Sequence, residues 1–158
     1  MVCFASGRSE FDMWNMCGDH READYVICNT GGKLLRAADD AVLSLHLADP
    51  ESVRALAGAC LGHDDCALYV IAAGYMGVSR MTPGVREYTD SIRHRPTVYA
   101  SAEELPLAGV QVMMASGNVS RAVAAIRGGG LALDYVSSEP GVIDITPWGV
   151  GKWSALLE

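Results

Sequence analysis

The sequence lacks the features that mark several common classes of protein. No apolar run approaches the length of a membrane span. No positively charged region precedes an apolar one at the N-terminus, so no signal peptide is evident. The five cysteines form no Cys-x-x-Cys pair, and the four histidines share no metal-ligand spacing. These absences predict a cytoplasmic protein with reduced, mostly buried thiols and no membrane partner.

The sequence also lacks an excess of positive charge. Its 12 lysines and arginines stand against 19 aspartates and glutamates, which gives a net charge of −7 and a pI near 5.0. A nucleic-acid surface needs a basic patch, so we expect no nucleic-acid partner. A small anionic ligand is still compatible, because local charge can oppose net charge. Half of the 158 residues are hydrophobic and 20% are charged, which predicts a globular chain with a core.

The most informative stretch is residues 142–158, VIDITPWGVGKWSALLE. Its β-branched start predicts a strand, Pro147 and the glycines after it predict a turn, and residues 154–158 suit a helix. Lys152 therefore lies in or near the first turn of that helix. The helix macrodipole disfavours a cation there unless a phosphate or carboxylate is bound beside it. The alternative is a solvated lysine in a surface turn.

Two N-terminal stretches favour the phosphate interpretation. Residues 2–9 predict an apolar strand that runs into a small-residue turn. Residues 24–35 predict a second strand, a Gly-Gly turn and another apolar pair. Together with residues 142–158, they resemble the haloacid dehalogenase (HAD) superfamily of phosphohydrolases in motif order and spacing. Within that superfamily, they are most similar to the Cof-type and sugar-phosphate phosphatases, which carry a large α/β cap.

Three motifs of the family have counterparts in this chain. The second motif, a strand ending in Ser or Thr and often followed by Gly-Arg, matches Ser6-Gly7-Arg8. The next landmark, a strand leading to Asn-Gly, aligns with Thr30-Gly31, unless Asn29 takes the place of the usual Asn by a one-residue shift. The third motif, the lysine after a Thr/Met-Pro-x-Gly-Val-x-Lys turn, matches Lys152.

The resemblance implies an α/β fold. It would combine a partial Rossmann-like core in residues 1–38, an inserted α+β cap in residues 39–140 and a return to the core in residues 141–158. The cap would be an open sheet with helices on one face.

The resemblance also implies Mg²⁺-dependent hydrolysis of phosphate monoesters, with sugar phosphates or related small phosphorylated metabolites as the expected substrates. By the family's pattern, Ser6 and Lys152 would be catalytic: Ser6 would hydrogen-bond the transferring phosphoryl group, and Lys152 would neutralise its charge. The substrate-binding residues would be Gly7, Arg8, Thr30 and Gly31.

Two family motifs have no counterpart. The Asp-x-Asp-x-Thr motif, which supplies the nucleophile and the general acid and base, is absent, and the acidic Mg²⁺-binding motif would follow Lys152. The segment Gly18–Asp24 fits the loose spacing of that acidic motif but precedes the cap, so we interpret it as coincidence. Asp144 and the Asp64-Asp65 pair also lie at positions that match neither motif. We therefore expect no metal ligands here and a truncated form that is inactive alone and self-associates through its incomplete core.

The expected truncation has three explanations: a gene fragment, a degenerate relative or an engineered piece. Two further functions are compatible with the same residues. One is a non-catalytic phosphometabolite-binding protein that keeps the phosphate cradle. The other is an unrelated α/β ligand-binding or interaction domain.

Other candidate sites are weaker. The glycines before Lys33 and Lys152 lack the spacing and the Ser/Thr of a P-loop. A helix-to-strand turn explains His63-Asp64-Asp65 better than a metal site does. A solvated loop explains the arginines of residues 80–95 better than substrate contact does.

The rest of the chain predicts alternating strands and helices. Strands are predicted at residues 2–5, 25–28, 42–48, 67–73, 110–115, 131–136 and 142–145. Helices are predicted at residues 10–18, 50–61 and 118–127, the second with Asp49 as its N-cap, and a capping box predicts a short helix from Ser101. Residues 74–100 show little periodicity. From residue 42 to 145, this order predicts an open sheet with two helices on one face.

Overall fold

A computed structural model describes residues 1–17 and 22–157 of the chain, which form two β-sheets flanked by helices. The strands are β1 Cys3–Ala5, β2 Tyr25–Cys28, β3 Lys33–Arg36, β4 Ala41–Leu45, β5 Cys66–Ala72, β6 Tyr75–Val78, β7 Thr97–Val98, β8 Val110–Gly117, β9 Leu133–Glu139 and β10 Val142–Pro147. The helices are α1 Glu10–Cys17, α2 Pro50–Cys60, α3 Pro83–Ser91, α4 Ser120–Gly129 and α5 Lys152–Ala155. This mixed α/β architecture confirms the predicted fold class.

The smaller sheet has four strands in the order β1-β2-β3-β4. Strands β1 and β2 are parallel, with Phe4 opposite Val26, while β3 and β4 follow as antiparallel neighbours. Its core is small and joins Met13 of α1 to Val26, Cys28 and Leu35. Because β1 and β2 are parallel, the loops that follow them leave from the same edge of the sheet.

The larger sheet has six strands in the order β7-β6-β5-β8-β10-β9. Its central strand β5 is buried along its whole length, because helices cover both faces. Alternate residues of a strand point to opposite faces. Leu68 and Val70 accordingly lie in the main core with residues of α2 and α4, whereas Tyr69 packs with Val85 of α3 on the other face.

Helix α3 corrects the expectation of helices on one face only, and it lies in the stretch for which no element was predicted. Thr82 caps it by accepting a hydrogen bond from the Val85 N–H at 3.2 Å, and Pro83 occupies its first position. Val85 is fully buried and anchors the helix to the sheet. The cap and the proline are ordinary helix-start signals that the weak periodicity of the surrounding residues had obscured.

The strand at residues 42–48 was predicted to lie in the open sheet. That prediction is wrong, because strand β4 pairs with β3 of the small sheet. A short turn makes this pairing local. Asp39 binds Arg36 through two hydrogen bonds of 2.9 and 2.8 Å and accepts another from the Ala41 N–H at 3.3 Å. Asp40 adopts a positive φ of 56° in the same turn. The division of the chain at residues 38 and 140 stays a prediction.

The capping box predicted at Ser101 is wrong. The helix there is a single 3₁₀ turn, Ala102–Glu104, and the Ser101 side chain makes no capping hydrogen bond. In this tight turn, the Glu104 N–H already bonds to the Ser101 carbonyl at 3.3 Å, so it is not available to the hydroxyl.

Buried polar contacts join the two sheets. The Asn29 side-chain amide donates to Gln111 Oε1 of β8 at 2.6 Å, and both side chains are buried. The Tyr88 hydroxyl of α3 donates to the Asp12 carboxylate of α1 at 2.9 Å. These bonds orient the large sheet over the loops that follow β1 and β2.

Two broader expectations can be compared with the structure. Three of the four described cysteines, Cys28, Cys60 and Cys66, are buried, and all four are free thiols, as expected. No helix within residues 1–17 and 22–157 is long and apolar enough to cross a membrane.

Candidate functional site

Three chain segments that are distant in sequence meet at one edge of the small sheet. The loop Ser6-Gly7-Arg8 follows β1, the loop Asn29–Gly31 follows β2, and the turn after β10 leads to Lys152 in α5. The first two loops meet because their strands are parallel neighbours. The third returns to them because the large sheet is inserted between β4 and α5.

The first loop is held in a defined conformation. The Ser6 N–H donates to the Ile27 carbonyl at 2.9 Å, and the Arg8 carbonyl accepts from the Asn29 N–H at 2.8 Å. The Arg8 N–H donates to Ser6 Oγ at 3.1 Å. Because Ser6 Oγ accepts this bond, its own hydroxyl proton remains available to donate to a ligand.

The second loop requires an unusual backbone. Asn29 and Thr30 have positive φ values of 53° and 55°, and Gly31 has a φ of 102°. Gly31 lies directly against the third segment: an added Cβ would lie 2.2 Å from the Gly151 carbonyl carbon and 2.7 Å from the Lys152 nitrogen. Only glycine allows this close approach, so Gly31 sets the position of the Lys152 backbone.

The third segment ends in a compact turn. The Thr146 hydroxyl donates to the Val150 carbonyl at 2.9 Å, and the Gly149 N–H donates to Asp134 Oδ2 at 2.7 Å. The Ser154 hydroxyl donates to the Gly151 carbonyl at 2.8 Å. Lys152 is the first residue of α5, as predicted, and its side chain is exposed.

One open cavity of about 760 Å³ lies between these loops and the large sheet. At one end are Ser6, Gly7, Arg8 and Lys152. Ser6 and Lys152 therefore line the same cavity although they are far apart in sequence. The wall consists of residues of β5, β8, β10 and α3, namely Tyr69, Ile71, Val112, Met113, Met114, Ser116, Val142, Gly84, Glu87, Tyr88 and Ser91.

Thr30 and Gly31 support the cavity from behind and are not among the residues that line it. Thr30 is buried, and its hydroxyl donates to the Gly7 carbonyl at 3.3 Å. The structure thus brings all six predicted site residues into one region but gives two of them a supporting position. Direct substrate contact by Thr30 and Gly31 stays a prediction.

Asp144 is a site residue that the sequence analysis dismissed. It lies on β10, lines the cavity beside Lys152, and its Oδ2 atom would be 3.1 Å from a Cβ on Gly7. Burial raises the pKa of the Asp144 carboxyl, and this effect outweighs the lowering by Lys152 and by a hydrogen bond from Thr30. A weak signal was present in the sequence: Asp144 is the one acid between two buried isoleucines, so it points to the opposite face.

The other acidic and basic candidates have different partners. Asp64 forms an ion pair with Arg80 at 2.5 Å, and Asp65 accepts from the Asn118 side chain at 2.8 Å. Asp64 and Asp65 belong to the turn between α2 and β5, and neither residue lines the cavity. The Gly18–Asp24 segment lies partly outside the described residues.

The magnesium implied by the resemblance was compared with the groups that this chain provides. Among the described residues, no three or more His, Cys, Asp or Glu side chains are placed to hold a metal ion. The Asp144 carboxylate at the cradle lies beside the Lys152 ammonium group, which already offsets its charge. The described residues therefore do not form a magnesium site.

Comparison with known proteins agrees with this architecture. A HAD-like hydrolase from Bacteroides thetaiotaomicron has a TM-score of 0.78 at 14% identity, over 98% of this chain and 61% of that one. A HAD subclass IIB sugar phosphatase has a TM-score of 0.80 at 16% identity, over 98% of this chain and 59% of that one. A protein from Thermotoga maritima has a TM-score of 0.74 at 16% identity, over 98% of this chain and 60% of that one.

At these identities, the solved structures establish the fold alone, and the chain spans 59–61% of their length. The comparison with curated proteins finds no match. The family comparison is decisive, because residues 1–158 all match the model for haloacid dehalogenase-like hydrolases. The chain therefore belongs to the haloacid dehalogenase-like hydrolase family.

Proposed function

We propose that this chain forms the phosphate-binding cradle and the cap of a Cof-type phosphatase whose substrates are phosphate monoesters of small metabolites. The observation that carries the proposal is that Ser6 and Lys152 line one cavity, at the edge of the sheet where parallel strands end. A hydroxyl donor and an exposed ammonium group together suit a phosphoryl group.

Each cradle residue has a separate task in this proposal. The Ser6 hydroxyl donates to a phosphoryl oxygen, since its oxygen already accepts from the Arg8 N–H. Lys152 neutralises the negative charge of the phosphoryl group. Arg8 adds a second cation at the same end of the cavity.

Turnover needs further groups. Phosphoryl transfer to an aspartate needs a nucleophile in line with the leaving oxygen and an acid to protonate that oxygen. No Asp-x-Asp-x-Thr motif is present in this sequence, and the described residues provide no magnesium site. We therefore propose that the chain by itself binds phosphate without hydrolysing its esters.

Binding can be tested by titrating inorganic phosphate into the chain and measuring affinity by calorimetry. Lys152→Ala should weaken binding about tenfold or more, because a charge-assisted hydrogen bond is lost. Arg54→Ala is the matched control: it removes the same charge from an exposed position on α2, where Arg54 pairs with Glu51. Equal affinities for the parent chain, Lys152→Ala and Arg54→Ala would refute the cradle.

Turnover can be tested with an aryl phosphate and several sugar phosphates in the presence of Mg²⁺. We expect no hydrolysis above the background of the Lys152→Ala variant. Metal-dependent hydrolysis that persists on repurification and is lost in Lys152→Ala would show that this chain contains a nucleophile of its own. The binding proposal would then stand, and the proposal of inactivity would be wrong.

A further inference from the structure

We propose that the cavity selects phosphate monoesters whose leaving group has a flat apolar ring, and that Tyr88 and Met114 contact that ring. The inference rests on the proposed function for the phosphate end of the cavity. It adds the class of leaving group, which we infer from the residues of the cavity wall opposite the cradle.

The wall facing the cradle is apolar at its centre. Its base is the face of the large sheet beside α3, where Ile71 and Val112 are buried, with 7% and 4% of their surface exposed. Met114 and Tyr88 are only half-buried, so these two large side chains on the wall have exposed surface that a ligand can contact. Methionine packs well against aromatic rings through its sulfur.

The hydroxyls of both tyrosines on this wall are already hydrogen-bonded, and Tyr88 is the one whose ring is only partly buried. The Tyr88 hydroxyl donates to Asp12 at 2.9 Å, and the Tyr69 hydroxyl is hydrogen-bonded to Ser116. Burial and the nearby Asp12 carboxylate raise the pKa of Tyr88, so the phenol stays protonated as the donor.

The two rings also fix each other. Their centroids lie 5.7 Å apart at an interplanar angle of 88°, an edge-to-face arrangement. A third ring beside Tyr88 would extend this cluster.

A polyhydroxylated leaving group fits this wall less well. Each hydroxyl placed against Ile71, Val112 or Met114 would lose its hydrogen bonds to water without a replacement, and that loss is costly. The polar groups Glu87, Ser91, Ser138 and Glu139 lie at the exposed rim. The carboxylates of Glu87 and Glu139 at the rim would also repel a second phosphate group, so the geometry favours ligands with one phosphate group over bisphosphates.

The test compares three ligands on the intact chain by calorimetry at about pH 8, where monoesters are fully ionised. The ligands are inorganic phosphate, phenyl phosphate and glucose 6-phosphate. We expect phenyl phosphate to bind about three- to tenfold more tightly than inorganic phosphate, as one aromatic contact provides. Glucose 6-phosphate should gain less than about twofold, since its ring is covered by hydroxyls.

Single substitutions test whether Tyr88 and Met114 cause the tighter binding of phenyl phosphate. Tyr88→Leu and, separately, Met114→Ser should each lower the ratio of phenyl phosphate to inorganic phosphate affinity toward one. Tyr135→Leu is the control, because Tyr135 lies outside this cavity beneath Arg127. If Tyr88→Leu does not fold, the Met114→Ser ratio decides, because that change leaves the bond to Asp12 in place.

The outcomes separate the two proposals. Phosphate binding with no preference for phenyl phosphate, or a preference for glucose 6-phosphate, overturns the ring inference and leaves the cradle intact. Phenyl phosphate binding that survives Lys152→Ala overturns the cradle and supports the apolar wall. No binding of any of the three ligands overturns both.

Discussion

The two sheets differ in how completely they are packed. In the six-stranded sheet, β5 is buried along its whole length between helices on both faces. In the four-stranded sheet, β1 is only partly buried, and the outer strand β4 exposes Val42 and Leu43 by 51% and 47%. The main core of the large sheet joins residues of α2, α4 and four strands, whereas the small core is built mainly on α1, β2 and β3.

We expect the large sheet to be the more stable unit, because its core is larger. The proposed cradle residues Ser6 and Arg8 come from the loop after β1 of the small sheet, while the large sheet supplies the apolar wall and leads to Lys152 through β10. We expect binding residues in the less stable part of a protein, because ligand-binding loops and other moving elements usually lie in regions of low local stability. Matched substitutions in the two sheets can test whether they behave as unequal units.

The largest effect is expected when two fully buried leucines, Leu68 of β5 and Leu35 of β3, are compared by replacing each with alanine. Leu68→Ala should lower the free energy of unfolding by about 3 kcal/mol, because it leaves a cavity in the main core. Amide hydrogen exchange should accelerate throughout both sheets, since the small sheet depends on the large one. Leu35→Ala removes the same atoms but should accelerate exchange only in β2 and β3.

In the parent chain, the slowest amides should be those of β5 and β8. If β1 and β2 exchange as slowly as β5 in a monomer, the two sheets are equally stable and the comparison fails. Equal effects of Leu35→Ala and Leu68→Ala on β5 amides would show one cooperative unit.

The next effect concerns the contact between the second loop and α5. Gly31→Ala should cost about 2 kcal/mol, because alanine is strained at a φ of 102° and its Cβ would clash with the Gly151 carbonyl. Phosphate affinity should fall as well, since Lys152 is displaced. The measurements are urea denaturation and phosphate calorimetry.

Gly58→Ala is the matched control for that change. Gly58 lies inside α2, and a Cβ there would meet nothing within 4 Å. Alanine should stabilise the chain by about 0.5–1 kcal/mol through higher helix propensity. A Gly31→Ala chain as stable as the parent would contradict the role of Gly31 in the close approach.

The bridge between the sheets should give a smaller effect. Tyr88→Phe removes the donor to Asp12, whose side chain is fully buried, and should cost about 1–2 kcal/mol for the unpaired carboxylate. Tyr25→Phe, at the partly buried start of β2, is the control and should cost little. No loss of stability in Tyr88→Phe would show that another donor or water reaches Asp12.

The sequence predicted the parts of the fold that rest on local signals. Asp49 caps α2 by accepting from the Ser52 N–H at 2.9 Å, and strands β9 and β10 overlap the predicted ranges 131–136 and 142–145. The assignment of Ser6 and Lys152 to one site came from the family resemblance, and both residues line the same cavity.

The parts that could not be predicted depend on which distant segments meet. Nothing near β4 specifies β3 as its partner except the Asp39 turn, which apolar patterning does not record. Asp144 has the pattern of an outward-facing strand residue, and only the folded chain places Gly7 and Thr30 against it. A buried contact of this kind leaves no periodic trace in the sequence.

The smallest effect is expected at Asp144, which lies on β10 of the large sheet next to Gly7 in the loop after β1 of the small sheet. Its pKa is raised in the folded state, so ionising it opposes folding. The sign follows from linkage: folded and unfolded chains are both protonated at low pH, and the destabilisation begins as pH rises through the unfolded-state pKa and is complete above the raised folded-state pKa. Asp144→Asn, which keeps an acceptor for Thr30, should therefore unfold at higher urea than the parent at pH 7 and at the same urea near pH 3. Asp134→Asn is the control, because Asp134 lies on β9 and accepts a hydrogen bond from the Gly149 N–H outside the cavity. A parent chain more stable than Asp144→Asn at pH 7 would show that the attraction of Lys152 outweighs burial at this junction.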